Sequence, residues 1–195
     1  MRVTGGAWRS RRLRGPTRGQ KLRPTPDAMR ERCFAVLGDT VSGARVLDLF
    51  AGTGAVGIEA LSRGAASVIF VDAHRGAAKL ITANLESLGI GRERGSLMIR
   101  PALRAIAELG NRDLSFDLIW ADPPFEVWRD GLEALGSAIE TGIATEGATL
   151  CLECPANADL EAVLPEQLMI ERDLKGGASR VVILVFSQRR SQRGR

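Results

Sequence analysis

Histidine and cysteine are scarce in this sequence: His74 stands alone, and the cysteines are Cys33, Cys151 and Cys154. Three cysteines do not make a disulfide framework. Cys151 and Cys154 have C-x-x-C spacing, but a structural zinc site needs two more ligands and one histidine cannot supply them. The pair also ends an apolar strand before Pro155, where a redox pair would precede a helix, so ordinary reduced thiols and no metal site are expected. No apolar run approaches the ~18 residues of a membrane helix. The first arginine is not followed by the apolar stretch of a signal peptide. These absences lead to the expectation of a cytoplasmic protein without a membrane partner.

Charge is present but unevenly placed. The 195 residues carry a formal net charge of +4, made of +8 over residues 1–32, −8 over 33–188 and +4 over the last seven. An acidic body with two basic ends suggests contact with nucleic acid or another anionic surface. At 45% hydrophobic the body can fill a core, and its length suits one domain with an arm better than two domains. The expected division is a basic N-terminal extension over 1–26, a domain over 27–188 and a basic tail over 189–195.

From residue 44 short β-rich runs alternate with helical stretches. Strands are expected at 44–50, 67–72, 96–100, 116–122 and 148–154, with helices at 55–64, 77–89, 102–109 and 127–142, the last weakened by two glycines. This alternation argues for an α/β fold, a mostly parallel sheet with helices on both faces. The end differs: 167–175 and 179–186 flank Gly176-Gly177 and read as an antiparallel hairpin closing the sheet. Before the domain, 3–8 has the composition of a short strand. Asp27 is placed as the N-cap of a helix over 28–37.

After the first strand comes Asp48-Leu-Phe50-Ala51-Gly52-Thr53-Gly54-Ala-Val-Gly57. Its glycines match G-x-G-x-x-G between a strand and a helix. Asp72, at the tip of the next strand, can accept both ribose hydroxyls of a nucleotide. The literal match is a dinucleotide site. Two features oppose it. A diphosphate at a helix N-terminus wants backbone donors and no nearby carboxylate, yet Asp48 lies four residues before Gly52. The fourth strand ends in Asp122-Pro123-Pro124-Phe125, for which hydride transfer has no use. S-adenosylmethionine carries an ammonium and a sulfonium and no phosphate, and suits both features.

The tetrapeptide suits methylation of an amine. An exocyclic NH₂ on a base or amide is planar, with a delocalised lone pair, and must be oriented for in-line attack. The Asp122 carboxylate and the Pro123 carbonyl can accept its two N–H groups. Prolines remove N–H donors and stiffen the turn. Phe125 offers a flat face for a base, worth ~1–3 kcal/mol by analogy with single-strand binders.

The run Asp48–Ala66, the strand ending in Asp72, and Asp122–Phe125 resemble a class I methyltransferase acting on amines. Residues 22–37, LRPTPDAMRERCFAVL, narrow the resemblance to the RsmD family, bacterial methyltransferases of the guanine 2-amino group in 16S rRNA. The resemblance covers residues 1–186. It implies a Rossmann-like class I fold, a seven-stranded mostly parallel sheet with one antiparallel strand from the last hairpin. It implies S-adenosylmethionine held by Asp48 and Phe50–Gly54, with Asp72 on the ribose; Ala73 and Ala102 are further candidate cofactor contacts. The expected partner is 16S rRNA, either naked or within a small-subunit particle, and the expected state is a monomer. DNA adenine and protein glutamine methyltransferases share Asp-Pro-Pro-aromatic and form the alternative. The sequence departs from the family where Phe125 replaces a tyrosine, where Arg100-Pro101-Ala102 replaces an acidic residue near the adenine, and where Asp27-Ala-Met-Arg30-Glu31 lacks one basic side chain.

Residues 2–23 hold eight basic side chains with Trp8 among them. Arg9, Arg11, Arg12, Arg23, Thr25 and Arg30 are the candidate substrate contacts, binding RNA by shape in the absence of a sequence-reading motif. Arg23 and Thr25 lie just before the first helix, facing either the cofactor or the approaching RNA. The target guanine must leave its stack to reach Phe125.

Overall fold

The computed structural model of the protein describes residues 1–16 and 25–186. Its elements are α1 (Asp27–Leu37), β1 (Arg45–Leu49), α2 (Ala55–Ser62), β2 (Ser67–Asp72), α3 (Arg75–Leu88), β3 (Gly95–Ile99), α4 (Ala102–Gly110), β4 (Phe116–Ala121), α5 (Trp128–Glu140), β5 (Ala144–Pro155), β6 (Leu168–Gly176) and β7 (Ser179–Phe186). The strands form one sheet in the order β3-β2-β1-β4-β5-β7-β6. The pairs from β3 to β5 are parallel. β7 runs antiparallel between β5 and β6. This is the expected mostly parallel seven-stranded sheet with one antiparallel strand. β5 starts four residues earlier than expected, because a register shift between Phe116 and Leu118 lets Ala144 pair with Phe116.

Helices cover both faces because the central strands are apolar on both. On one face Ala105, Ile106 and Leu109 of α4 and Leu132 and Leu135 of α5 pack on Leu47, Ile119 and Leu150. On the other, Cys33 and Phe34 of α1, Ile58 of α2 and Ile81 of α3 pack on Val46, Leu118 and Trp120. Fully burying each such large side chain stabilises the fold by about 1.5–3 kcal/mol. The Phe34 and Trp120 rings stack with centroids 6.0 Å apart. Cys151 and Cys154, three residues apart on β5, fall in opposite cores, so they cannot meet on one metal or in one disulfide. All three cysteines are free and buried. Burial pushes the Cys33 thiol up to about 12 and the Cys154 thiol up to about 11. No helix among the described residues is long and apolar enough to cross a membrane.

The start of the chain departs from expectation. Residues 3–8 are no strand: Gly6–Trp8 form a 3-10 turn, and Arg2 bridges to Arg12. Val3 bonds within the segment, its N–H to the Arg11 carbonyl and its carbonyl to the Ser10 N–H, and the groups after it turn to α2. Thr4 donates N–H and Oγ1–H to Glu59 at 2.8 and 2.7 Å, and Trp8 N–H donates to Ser62 Oγ at 2.9 Å. Val3 and Leu13 are buried in the same core as α1, so residues 1–16 are fastened to the domain. Asp27 is not the cap of α1. It is the first helical residue after Pro26, and its carboxylate pairs with Arg2 and Arg30.

Candidate active site

In open α/β sheets ligands bind beyond the carboxyl ends of the strands, where the strand order reverses. Here the reversal lies between β1 and β4, and a cavity of about 570 Å³ opens there. Phe50, Ala51, Gly52, Thr53, Asp72, Ala73 and Ala102 line it, together with Thr25, Asp122, Pro123, Pro124 and Phe125. One wall therefore brings together the loop after β1, the tip of β2 and the start of α4, and the other brings the turn after β4.

The loop after β1 turns sharply enough to put Phe50, a non-glycine residue, at φ 58°, a costly conformation held by its surroundings. Gly57 allows α2 to lie on β2: a Cβ there would stand 2.3 Å from the Phe70 ring. Asp72 accepts the Gly52 N–H at 2.9 Å on one oxygen and the His74 N–H at 2.8 Å on the other. The carboxylate is thereby fixed on the cavity wall with lone pairs remaining for hydroxyl donors. Asp48 and Gly54 are not part of the lining. Asp48 is buried behind the loop and accepts the Gly57 N–H at 2.9 Å, so it braces the start of α2. Burial raises its pKa to about 7, against the lowering effect of the Gly57 N–H, and the charge of Asp72 adds to the rise.

On the opposite wall Asp122 follows β4, and its N–H donates to Leu49 O at 3.3 Å, tying the turn to β1. Pro123 is buried, while Asp122 and Phe125 are half-buried. Gly131 of α5 makes room for the turn: a Cβ would stand 2.8 Å from Pro123 Cγ and 2.7 Å from Leu152 Cδ1. The lining also includes Glu126, Asp130, Glu133 and Glu153, with His74 and Arg100. Six carboxyl-bearing residues on the wall suit a cationic ligand and oppose a diphosphate.

Sequence reasoning passed over Glu153. Its signal was a lone acid in the apolar run of β5, at the carboxyl end where ligands bind, overshadowed by the flanking cysteines. Nothing in the local pattern announced Glu133 or Ser179, which reach the cavity from α5 and β7. Arg9, Arg11 and Arg12 are exposed, and Arg11 Nη2 donates to Ser87 O at 3.1 Å. Arg23 lies outside the described residues. Thr25 lines the cavity beside Asp122. Arg30 was expected to face RNA, and that is corrected. Its side chain is fully buried, pairs with Asp27 at 3.0 Å and with Glu59 at 3.6 Å, and donates to the Thr25 and Arg2 carbonyls. A guanidinium so enclosed cannot reach a phosphate.

Comparison with known proteins agrees with this architecture. A family described as "Conserved hypothetical protein 95" matches residues 1–185. Ribosomal RNA small subunit methyltransferase D of Escherichia coli K12 is 32% identical over 179 residues, 91% of this chain and 85% of its own. YlbH of Bacillus subtilis is 33% identical over 177 residues, 90% of this chain and 94% of its own. Among solved structures, yhhF of Escherichia coli superposes with a TM-score of 0.79 at 28% identity, covering 96% of this chain and 98% of its own. With its sheet order, its glycine loop and its Asp-Pro-Pro-Phe turn in one cavity, the chain belongs to the RsmD family of class I methyltransferases.

Proposed function

We propose that the protein transfers a methyl group from S-adenosylmethionine to the exocyclic 2-amino group of a guanine in 16S rRNA, acting as a monomer on a small-subunit particle. The observation that carries this reading is the placement of Asp122–Phe125 across one cavity from Asp72. The names of the relatives, which refer to rRNA methylation, support the substrate class. The acid-rich lining supports a phosphate-free cationic cofactor. Asp72 would hold the ribose, the Phe50–Thr53 loop and Ala73 would enclose the nucleoside, and Ala102 would lie toward the adenine. Bound there, the cofactor supplies an electrophilic methyl group on a good leaving group.

The chain's own residues then have to present the nitrogen. Asp122 accepts one amine N–H and the Pro123 carbonyl accepts the other, which turns the lone pair toward the methyl carbon. Phe125 stacks on the base and holds its plane. Proton loss follows methyl transfer, so no strong general base is required. The exposed Arg9, Arg11 and Arg12 hold the backbone of the RNA, and Arg23 is proposed to join them.

Asp122→Ala tests the assignment. Methyl transfer to small ribosomal subunits is expected to fall by orders of magnitude, while calorimetry shows S-adenosylmethionine binding nearly unchanged. Equal loss of both would remove Asp122 from the amine site. Labelled transfer to 16S rRNA, small subunits and DNA, followed by nucleoside analysis, separates the guanine reading from adenine or protein glutamine methylation.

A further inference from the structure

Thr25 Oγ1 lies 2.9 Å from Asp122 Oδ2 and 2.8 Å from Glu153 Oε2. The three residues come from the segment before α1, the turn after β4 and the end of β5. Sheet register brings two of them together. Ala121 pairs with Leu152 across the parallel β4–β5 ladder, so the next residue on each strand, Asp122 and Glu153, emerges side by side. Two adjacent carboxyl groups repel when both are charged. A hydroxyl between them carries one proton, so it can donate to Asp122 while accepting from Glu153 only where the two carboxyl groups share a proton and Glu153 donates it.

Thr25 is well fixed for this task. It is 4% exposed, as is Glu153. Its β-branched side chain has few χ1 choices. Its carbonyl accepts the Arg30 Nη1–H at 3.0 Å, and Arg30 is in turn held by Asp27, Glu59 and the Arg2 carbonyl. A continuous series of buried groups thus runs from the core to the carboxylate of Asp122. The torsion that sets the plane of an aspartate carboxylate is soft and broadly populated. An amine acceptor that must aim a nitrogen lone pair needs that torsion fixed.

We infer that Thr25, braced by Glu153 and Arg30, is a positioning residue whose hydroxyl sets the plane of the Asp122 carboxylate for the incoming amine. This rests on the reading of Asp122 as the amine acceptor. It gives Arg30 a role in the site that exposure to RNA does not supply. It also makes the segment leading into α1 part of the reaction geometry as well as of the docking surface.

The test uses the full chain, small ribosomal subunits assembled with unmodified 16S rRNA, and methyl-labelled S-adenosylmethionine. Thr25→Val removes the hydroxyl at nearly constant volume, and Thr25→Ser keeps it. For Thr25→Val, kcat is expected to fall about ten- to a hundredfold, the cost of slight misplacement of a reacting group, with KM for the subunit and cofactor affinity held within about threefold. Thr25→Ser is expected to recover kcat to within about threefold of the parent, since the hydroxyl is retained. Glu153→Ala should lower kcat in the same direction and add little in the Thr25→Val background. Wild-type kcat in Thr25→Val, or a Thr25→Ser variant as impaired as Thr25→Val, overturns the inference. Fully additive losses overturn the part assigned to Glu153. Thermal unfolding of each variant identifies a fold defect, and a variant with one is judged by its kcat per folded, cofactor-binding molecule. Asp122→Ala run alongside keeps the two claims apart: if it retains methyl transfer, the amine-site reading fails; if it loses transfer while Thr25→Val does not, only the role of Thr25 fails.

Discussion

Asp48 and Asp72 are the same residue type at the ends of adjacent strands, and their surroundings give them different work. Asp72 lies at the cavity wall with both oxygens bonded to backbone N–H groups. Asp48 lies behind the loop with its pKa raised to about 7 by burial. An unfolded aspartate ionises near 3.8. Between these values the folded chain keeps a proton that the unfolded chain has released. Stability therefore declines as pH rises from about 4 to about 7 on account of this residue, and the effect levels off above that. Asp48→Asn has no proton to retain. Urea unfolding across this range should show a shallower decline in Asp48→Asn than in the parent, and an unchanged slope would place the proton elsewhere. Arg30 shows the same dependence on surroundings. In sequence it belongs to a basic stretch, and in the fold it is enclosed with Glu59 and Asp27.

Elements position the site through close approach. α5 can pack against the Asp-Pro-Pro-Phe turn because Gly131 has no Cβ to meet Pro123 and Leu152. Gly131→Ala should push the turn away from α5, destabilising the fold by about 1–3 kcal/mol as overpacking does. It should lower methyl transfer more than cofactor affinity, as activity and calorimetry on the folded fraction would show. The element types themselves were legible. Apolar runs bounded by glycine gave the strands after residue 44, and Gly176-Gly177 marked the hairpin of β6 and β7. Residues 3–8 were not legible, because strand composition is shared by any apolar segment that packs. The partners that took its hydrogen bonds, Glu59 and Ser62, are 55 and 54 residues away. Glycine content likewise understated α5, where Gly131 serves close packing and not a break.

Over the whole molecule, residues 1–16 are built into the domain. Asn84 is fully buried, accepts the Arg14 N–H at 2.7 Å, and donates to the Arg14 carbonyl at 3.1 Å and to the Thr53 carbonyl of the cofactor loop at 2.9 Å. Deleting the segment would expose Val3 and Leu13 and strip polar partners from Glu59 and Asn84, so exposed charges make the better probe. Arg9→Glu with Arg12→Glu should weaken binding to 16S rRNA and flatten its dependence on salt, by about 0.7–0.9 in log–log slope for each phosphate that is no longer neutralised. Cofactor affinity should stay unchanged, and retained RNA affinity would make this face mere solvated surface. The sequence by itself determined the α/β alternation, the glycine loop and the Asp-Pro-Pro-Phe turn, since each depends on residues adjacent in the chain. Only the tertiary structure decided that Asp48 stands behind the loop, that Arg30 is core, and that Thr25 meets Asp122 and Glu153 across separations of 97 and 128 residues. Local periodicity carries no record of such meetings; they arise from sheet register and from which helix covers which face.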